Sequence, residues 1–262
     1  MTVASFREGW RIQLRVIGAL MQRELTTRFG RENIGFLWVM AEPLLFGSLV
    51  AIMWTFLKGP EDHGVSVVAF VITGYLPLTL FRHSVSRSIM VFEANGSLLY
   101  HRQIKIFDFV FVRFLIEFIG GLMAYLFVAL ILIYFGFFPV PTDLGLFLAG
   151  WFLYGFFTLA MSFIIAPASE MSSVLEKFMP VTTYLMIPVS GTFSMMSWLT
   201  PEARNVLQWS PPVNAMEMMR AGVFGTDVQP YYNYTVPIII PMILLMFGMF
   251  LCRHVRKILT VE

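Results

Sequence analysis

Few side chains in this sequence can do chemistry, and their apolar surroundings are what make them informative. Glu42 interrupts an otherwise uncharged run over 34–57. The stretch from 43 to 57 makes only about 22 Å of helix, too short for a hydrocarbon layer of about 30 Å, so Glu42 is expected inside the bilayer. There it is a carboxylate paired within the bundle or between subunits, or the mark of a helix distorted by Pro43, or a lining residue of a polar path. His83 and Arg87 stand four apart at the end of the next apolar run, with Arg82 beside them. Four-residue spacing puts two side chains on one helical face, where they can catch an anionic group, or serve only as a basic anchor. A later loop carries Arg204 and Arg220 together with Met216 and Met219, a charged and apolar mixture suited to a lid.

The absences are as informative. No G-x-x-x-x-G-K-[ST] segment occurs, and no glycine precedes a lysine, so no P-loop can cradle nucleotide phosphates. His63, His83, His101 and His254 are scattered without an H-E-x-x-H pair, and Cys252 is the single cysteine. No metal site, redox pair, catalytic residue or cofactor of the chain's own is therefore expected. An ion-coupled carrier places several ionisable groups deep in its spans, whereas here Glu42 is nearly alone.

The elements that must position these residues follow from composition. The 262 residues are 58% apolar and 13% charged, with a mean hydropathy of +0.75, which places the chain outside the soluble range and among integral membrane proteins. A net charge of +2 gives no reason to expect a nucleic-acid partner. Continuous apolar runs, rather than period-two alternation, indicate helices and not a barrel. The expected class is an all-α membrane protein with six transmembrane helices over about 34–57, 65–88, 107–138, 144–166, 177–197 and 231–252. A cytoplasmic segment 1–33 precedes this domain of 34–252, and a tail of 253–262 follows. Fifteen Lys and Arg fall before span one, between spans two and three or at their facing ends, at the start of span five, and after span six; only Lys58, Arg204 and Arg220 fall in the other loops. The positive-inside rule then puts both termini in the cytoplasm.

Residues 1–33 lack the compact apolar core of a cleavable signal. Phe6, Trp10, Leu14, Ile17, Met21, Leu25 and Phe29 recur every three or four residues, while Arg7, Arg11 and Arg15 line another face, so an amphipathic helix on the inner membrane surface is expected, in contact with lipid. Between spans five and six, Thr200-Pro201-Glu202 reads as one helix start and Asn214 with Glu217 as a second, ended near Gly225. These would be two short outer helices, the second apolar enough to re-enter the membrane. Pro77 in span two and Pro180 and Pro188 in span five predict kinks. Among the aromatic side chains, which supply interfacial belts, Trp38, Tyr75, Trp151 and Tyr154 are candidates for lining a conduit.

The segment 23–44, with Gly35, Trp38, Pro43 and Leu44 in a Gly-x-x-Trp-x-x-x-x-Pro-Leu pattern, resembles the permease subunits of type-2 ABC exporters, and most closely those of KpsM type that export capsular polysaccharide. Gly74-Tyr75-Leu76-Pro77 in span two and Asn95-Gly96-Ser97-Leu98-Leu99-Tyr100 before span three resemble the same branch. The resemblance implies a homodimer paired with two copies of a separate ATPase, which binds the ATP and Mg. The cargo it implies is a lipid-linked acidic polysaccharide crossing a bacterial inner membrane, with an outer-membrane or periplasmic export partner as a further possibility. The interior loop 93–107 is then the expected contact with the ATPase, through Leu98, Leu99, Tyr100, Arg102, Ile104 and Lys105. O-antigen, teichoic acid or another cargo is the runner-up within that family. An ion-coupled carrier and a membrane-embedded glycan enzyme are the alternatives outside it.

Overall fold

A computed structural model describes residues 6–29, 34–100 and 103–259, and the side chains of these except at 6, 29, 34–43, 173, 182, 258 and 259. The chain forms α1 (Phe6–Phe29), α2 (Ile34–Lys58), α3 (Val67–Ser88), α4 (Ile106–Tyr134), α5 (Leu144–Met171), α6 (Ser173–Val189), α7 (Pro201–Leu207), α8 (Pro211–Phe224) and α9 (Val236–Leu259). Among the described residues, four helices are long and apolar enough to cross a membrane: α3, α4, α5 and the 236–257 part of α9.

Local sequence explains most boundaries. Gly59, at φ 89, ends α2 with its N–H on the Thr55 carbonyl. A two-residue hairpin follows that the apolar pattern did not foreshadow: β1 (Glu61–Asp62) pairs antiparallel with β2 (Val65–Ser66), Glu61 opposite Ser66. Its turn is His63-Gly64, both at positive φ, the conformation that matches the twist of paired strands. Ser66 then caps α3 by accepting from the Ala69 N–H.

Helix α3 is the centre of the bundle, buried on nearly every side and packed on α2, α4 and α5. Helix α5 lies against α8 and α9, and glycine lets the backbones meet. A Cβ on Gly150 would stand 2.7 Å from the Ala215 carbonyl oxygen, and one on Gly222 would stand 2.6 Å from the Phe147 nitrogen. One apolar core surrounds Leu76, Phe81, Tyr125, Phe147, Trp151, Met216 and Met219; a second, at the end that holds α1, gathers Leu20, Phe92, Ile106, Val110, Phe163, Cys252 and Val255.

Two elements depart from the expected layout. The stretch expected to be helical over 177–197 is helical only as α6, from Ser173 to Val189. Pro188 gives the last turn no N–H, and Gly191 at φ 72 turns the chain away, so the peptide groups of 191–196 find partners outside the helix. The second outer helix starts at Pro211 after Ser210, not at Asn214, which lies within α8. Tandem prolines at N1 and N2 supply the fixed φ that begins a helix, and they outweigh an Asn whose side chain is used elsewhere. Thr200 does cap α7 on the Ala203 N–H, and Gly225 at φ 57 does end α8.

Candidate functional site

At the end of the bundle that holds α1, the three basic side chains of α3 part company. Glu117 on α4, only 3% exposed, is paired with Arg28 of α1, lies 3.6 Å from His83 Nδ1 and 4.0 Å from Arg87 Nε. His83 and Arg87 therefore do share a face, and what they face is a buried carboxylate. Arg82 turns the other way, to α6, where its Nη2 donates to the Tyr184 hydroxyl at 2.8 Å.

Glu117 is not among the residues the sequence pattern singles out, although it lies inside the span expected over 107–138. The signal was there in Arg113, one helical turn before Glu117, since a charged pair four residues apart on an apolar helix needs partners from other elements. Those partners come from α1. Gln13 donates to Asp108 at 2.5 Å, Arg23 to Asn95 at 2.7 Å, and Glu24 pairs with Arg113 at 3.1 Å. With Arg28 on Glu117, α1 is stapled along much of its length to α4 and to the segment 93–100. Ile17, Met21 and Leu25 pack on the second core, while Trp10 and Leu14 stay exposed beside Arg7, Arg11 and Arg15. Part of the amphipathic stripe thus docks on the bundle and part remains open.

The segment 93–100 is 3₁₀ structure broken by a kink at Asn95 and anchored by Glu170 of α5, whose Oε1 accepts from the N–H groups of Phe92 and Glu93. Leu98, Leu99 and Ile104 are half-buried against the second core, so they hold the loop to its own bundle. Tyr100 points outward at 91% exposure, and Lys105 is exposed at the start of α4. Val16, Leu20 and Arg23 of α1 together with Leu98, Gln103 and Ile104 line a groove of about 570 Å³. Arg102 and the side chains of Trp38 and Glu42 lie outside the described residues.

At the other end, α8 is buried throughout and works as a pin. Asn214, Glu217 and Arg220, at three-residue spacing, hold the backbone on either side. Asn214 Oδ1 accepts from Asn233 N, and Glu217 accepts from Met196 N with one oxygen and from Tyr231 N with the other. Arg220 donates to the carbonyls of Gly191, Thr192 and Ser194 at 2.6–2.7 Å and lies over the Phe70 ring. Burial pushes the Arg220 pKa down to about 10 and lifts that of Glu217 above the usual carboxylate range. Arg220 thus supplies no charge to an outer surface: it holds the carbonyls of the non-helical segment that follows α6. Arg204 donates to the Met196 carbonyl and stacks on Tyr231. Met216 and Met219 are wholly buried against α5.

Of the remaining conduit candidates, Tyr75 is half-buried on α3 facing α2 at Gly47. Trp151 and Tyr154 are sealed in the larger core, where Trp151 packs with Phe118, Tyr125 and Phe147. The structure thus gathers His83, Arg87 and Glu117 in one place, puts Arg82 beside them on the other side of α3, and leaves Trp151 and Tyr154 apart.

Among the described residues no group of His, Cys, Asp and Glu is placed to hold a metal. A helical bundle with apolar helices long enough to cross a membrane, an amphipathic helix stapled at one end, and the buried α8 with the short α7 at the other defines an all-α membrane class of protein. Residues 15–224 match the ABC-2 type transporter family, and the chain belongs to it. It is 37% identical to the capsule polysaccharide export inner-membrane protein CtrC of Neisseria meningitidis serogroup B over 253 residues, 97% of this chain and 96% of that one. It is 34% identical to the capsule polysaccharide export inner-membrane protein BexB of Haemophilus influenzae with the same coverage. The polysialic acid transport protein KpsM of Escherichia coli is 23% identical over 94% of this chain and 96% of its own length.

Proposed function

We propose that this chain is the membrane-spanning subunit of an ATP-driven exporter that moves a lipid-linked acidic capsular polysaccharide across a bacterial inner membrane. The observation that carries this reading is the similarity to CtrC and BexB over nearly the whole of both chains. Helices α2 and α6 join α3, α4, α5 and α9 as six spans, with both termini and the α1 end in the cytoplasm and α7 and α8 as outer re-entrant helices. Two copies pair with two copies of an ATPase subunit, which binds ATP and Mg; this chain itself is not an enzyme.

The stapling of α1 to α4 and to 93–100 supports a mechanical role. A force applied at Tyr100 or in the groove beside α1 is passed through Gln13, Arg23, Glu24 and Arg28 to α4 rather than lost in a loose helix. The cations at this end attract the anionic polymer, and parting of α8 from α5 releases it outside. The test is deletion and complementation in the source bacterium, with surface polysaccharide measured and the tagged chain purified from mild detergent. Loss of surface polymer, its restoration, and co-purification of a P-loop ATPase are expected. Normal surface polymer in the deletion strain would overturn the export reading, and surface loss without an ATPase would point to a carrier driven otherwise.

A further inference from the structure

Arg82 is in an unusual position for a cation at the edge of an apolar bundle. Its neighbours on α3, His83 and Arg87, have the carboxylate of Glu117 within 4.0 Å, whereas no carboxylate lies within ion-pair distance of Arg82 among the described residues. Its partner is a phenol. The guanidinium carbon stands 4.5 Å from the centre of the Tyr184 ring while Nη2 donates to the hydroxyl of the same residue at 2.8 Å. One nitrogen is thereby fixed, and among the described residues no other group takes the remaining guanidinium donors. Tyr184 is 54% exposed, and Phe178, Val181 and Leu185 are exposed beside it on α6.

A cation at an apolar surface whose company among the described residues is a ring and a hydroxyl is under-compensated, and a carboxylate or phosphate meeting its two-pronged edge supplies what is missing. Lysine could not hold that edge in one plane. We propose that Arg82 and Tyr184 form a binding site for the anionic group, carboxylate or phosphate, of the exported polymer. Arg82 makes the contact and Tyr184 sets its orientation. The inference rests on the export reading and narrows it: the anion contact belongs to Arg82, and His83 and Arg87 serve Glu117.

The test replaces Tyr184 by the photoreactive p-azidophenylalanine in the intact transporter, in cells making the polymer and carrying an ATPase partner that cannot hydrolyse ATP. Adducts are released and assayed for glycan and for phospholipid. A glycan adduct is expected, reduced about tenfold or more by Arg82→Gln, less by Arg82→Lys, and left within about twofold by Arg87→Gln. Tyr184→Phe, which keeps the ring and loses the acceptor, should lower export a few-fold in the same strain with insertion unchanged. A phospholipid adduct without glycan would make this a lipid headgroup site and overturn the proposal. So would a glycan adduct or an export rate indifferent to Arg82→Gln. Either failure leaves the export reading standing as long as deletion of the gene abolishes surface polymer and complementation restores it.

Discussion

Removing either member of the Arg28–Glu117 pair should unfasten α1, and the size of the effect can be worked from the site. Glu117 is 3% exposed and Arg28 16%, so both charges are largely withdrawn from water. At an effective dielectric of about 20, two unit charges 4 Å apart attract by about 4 kcal/mol, a gain largely spent on desolvation while the pair is intact. Breaking the pair exposes that desolvation cost, and buried pairs broken on one side lose about 3–5 kcal/mol. Arg28→Met strands the carboxylate, but His83 and Arg87 remain within 4.0 Å of it, so the lower end of about 3 kcal/mol is expected. Glu117→Leu takes the buried carboxylate away from Arg28, His83 and Arg87, whose polar ends reach toward water, and should cost about 2 kcal/mol. The double variant Arg28→Met with Glu117→Leu replaces the pair by apolar packing and should come within about 1 kcal/mol of the parent, giving a coupling energy of about 4 kcal/mol. Reversible unfolding in mixed micelles measures the cycle, and protease cleavage after α1 arginines reports whether the helix has lifted. A coupling below about 0.5 kcal/mol, or single variants with α1 still protected, would refute the idea that this pair fastens α1 to the bundle.

Three further outcomes follow from the geometry. Gly74→Ala places a Cβ 2.2 Å from the Thr192 carbonyl oxygen, which Arg220 holds in place, and should destabilise by about 3 kcal/mol; Gly96→Ala, with nothing within 4 Å, should be silent, and equal melting temperatures for the two would contradict this packing. Arg220→Met removes the donor to three carbonyls and should cost about 3–5 kcal/mol, seen as early melting and as proteolysis between α6 and α7; an unshifted melt would mean those carbonyls have other partners. Tyr100→Ser should leave stability within about 0.5 kcal/mol yet lower ATPase recruitment to membranes, whereas Ile104→Ser should lower stability first, because one side chain is outward and the other packs on the second core. Normal recruitment by the Tyr100 variant would remove it from the ATPase contact.

The sequence alone determined what depends on long stretches of composition. Runs of twenty or more apolar residues can only be satisfied as buried or membrane-crossing helices, so α3, α4, α5 and α9 were legible within a few residues at most ends. Thr200 before Pro201 and Gly225 after Phe224 were equally legible, because a cap is a local bond between neighbours. What only the tertiary structure decided is where each charge goes. Three basic side chains within six residues of α3 look alike in sequence, yet one meets α6 and two meet Glu117, since a helix of 3.6 residues per turn sends adjacent side chains about 100° apart. Arg220 read as a charge for an outer lid and proved to be the donor that holds the carbonyls of the non-helical segment after α6, 26 to 29 residues away, a pairing no local pattern encodes. Periodicity specifies which face of a helix is apolar; which partner that face meets depends on how the helices pack, and that is set by close contacts such as those at Gly74, Gly150 and Gly222.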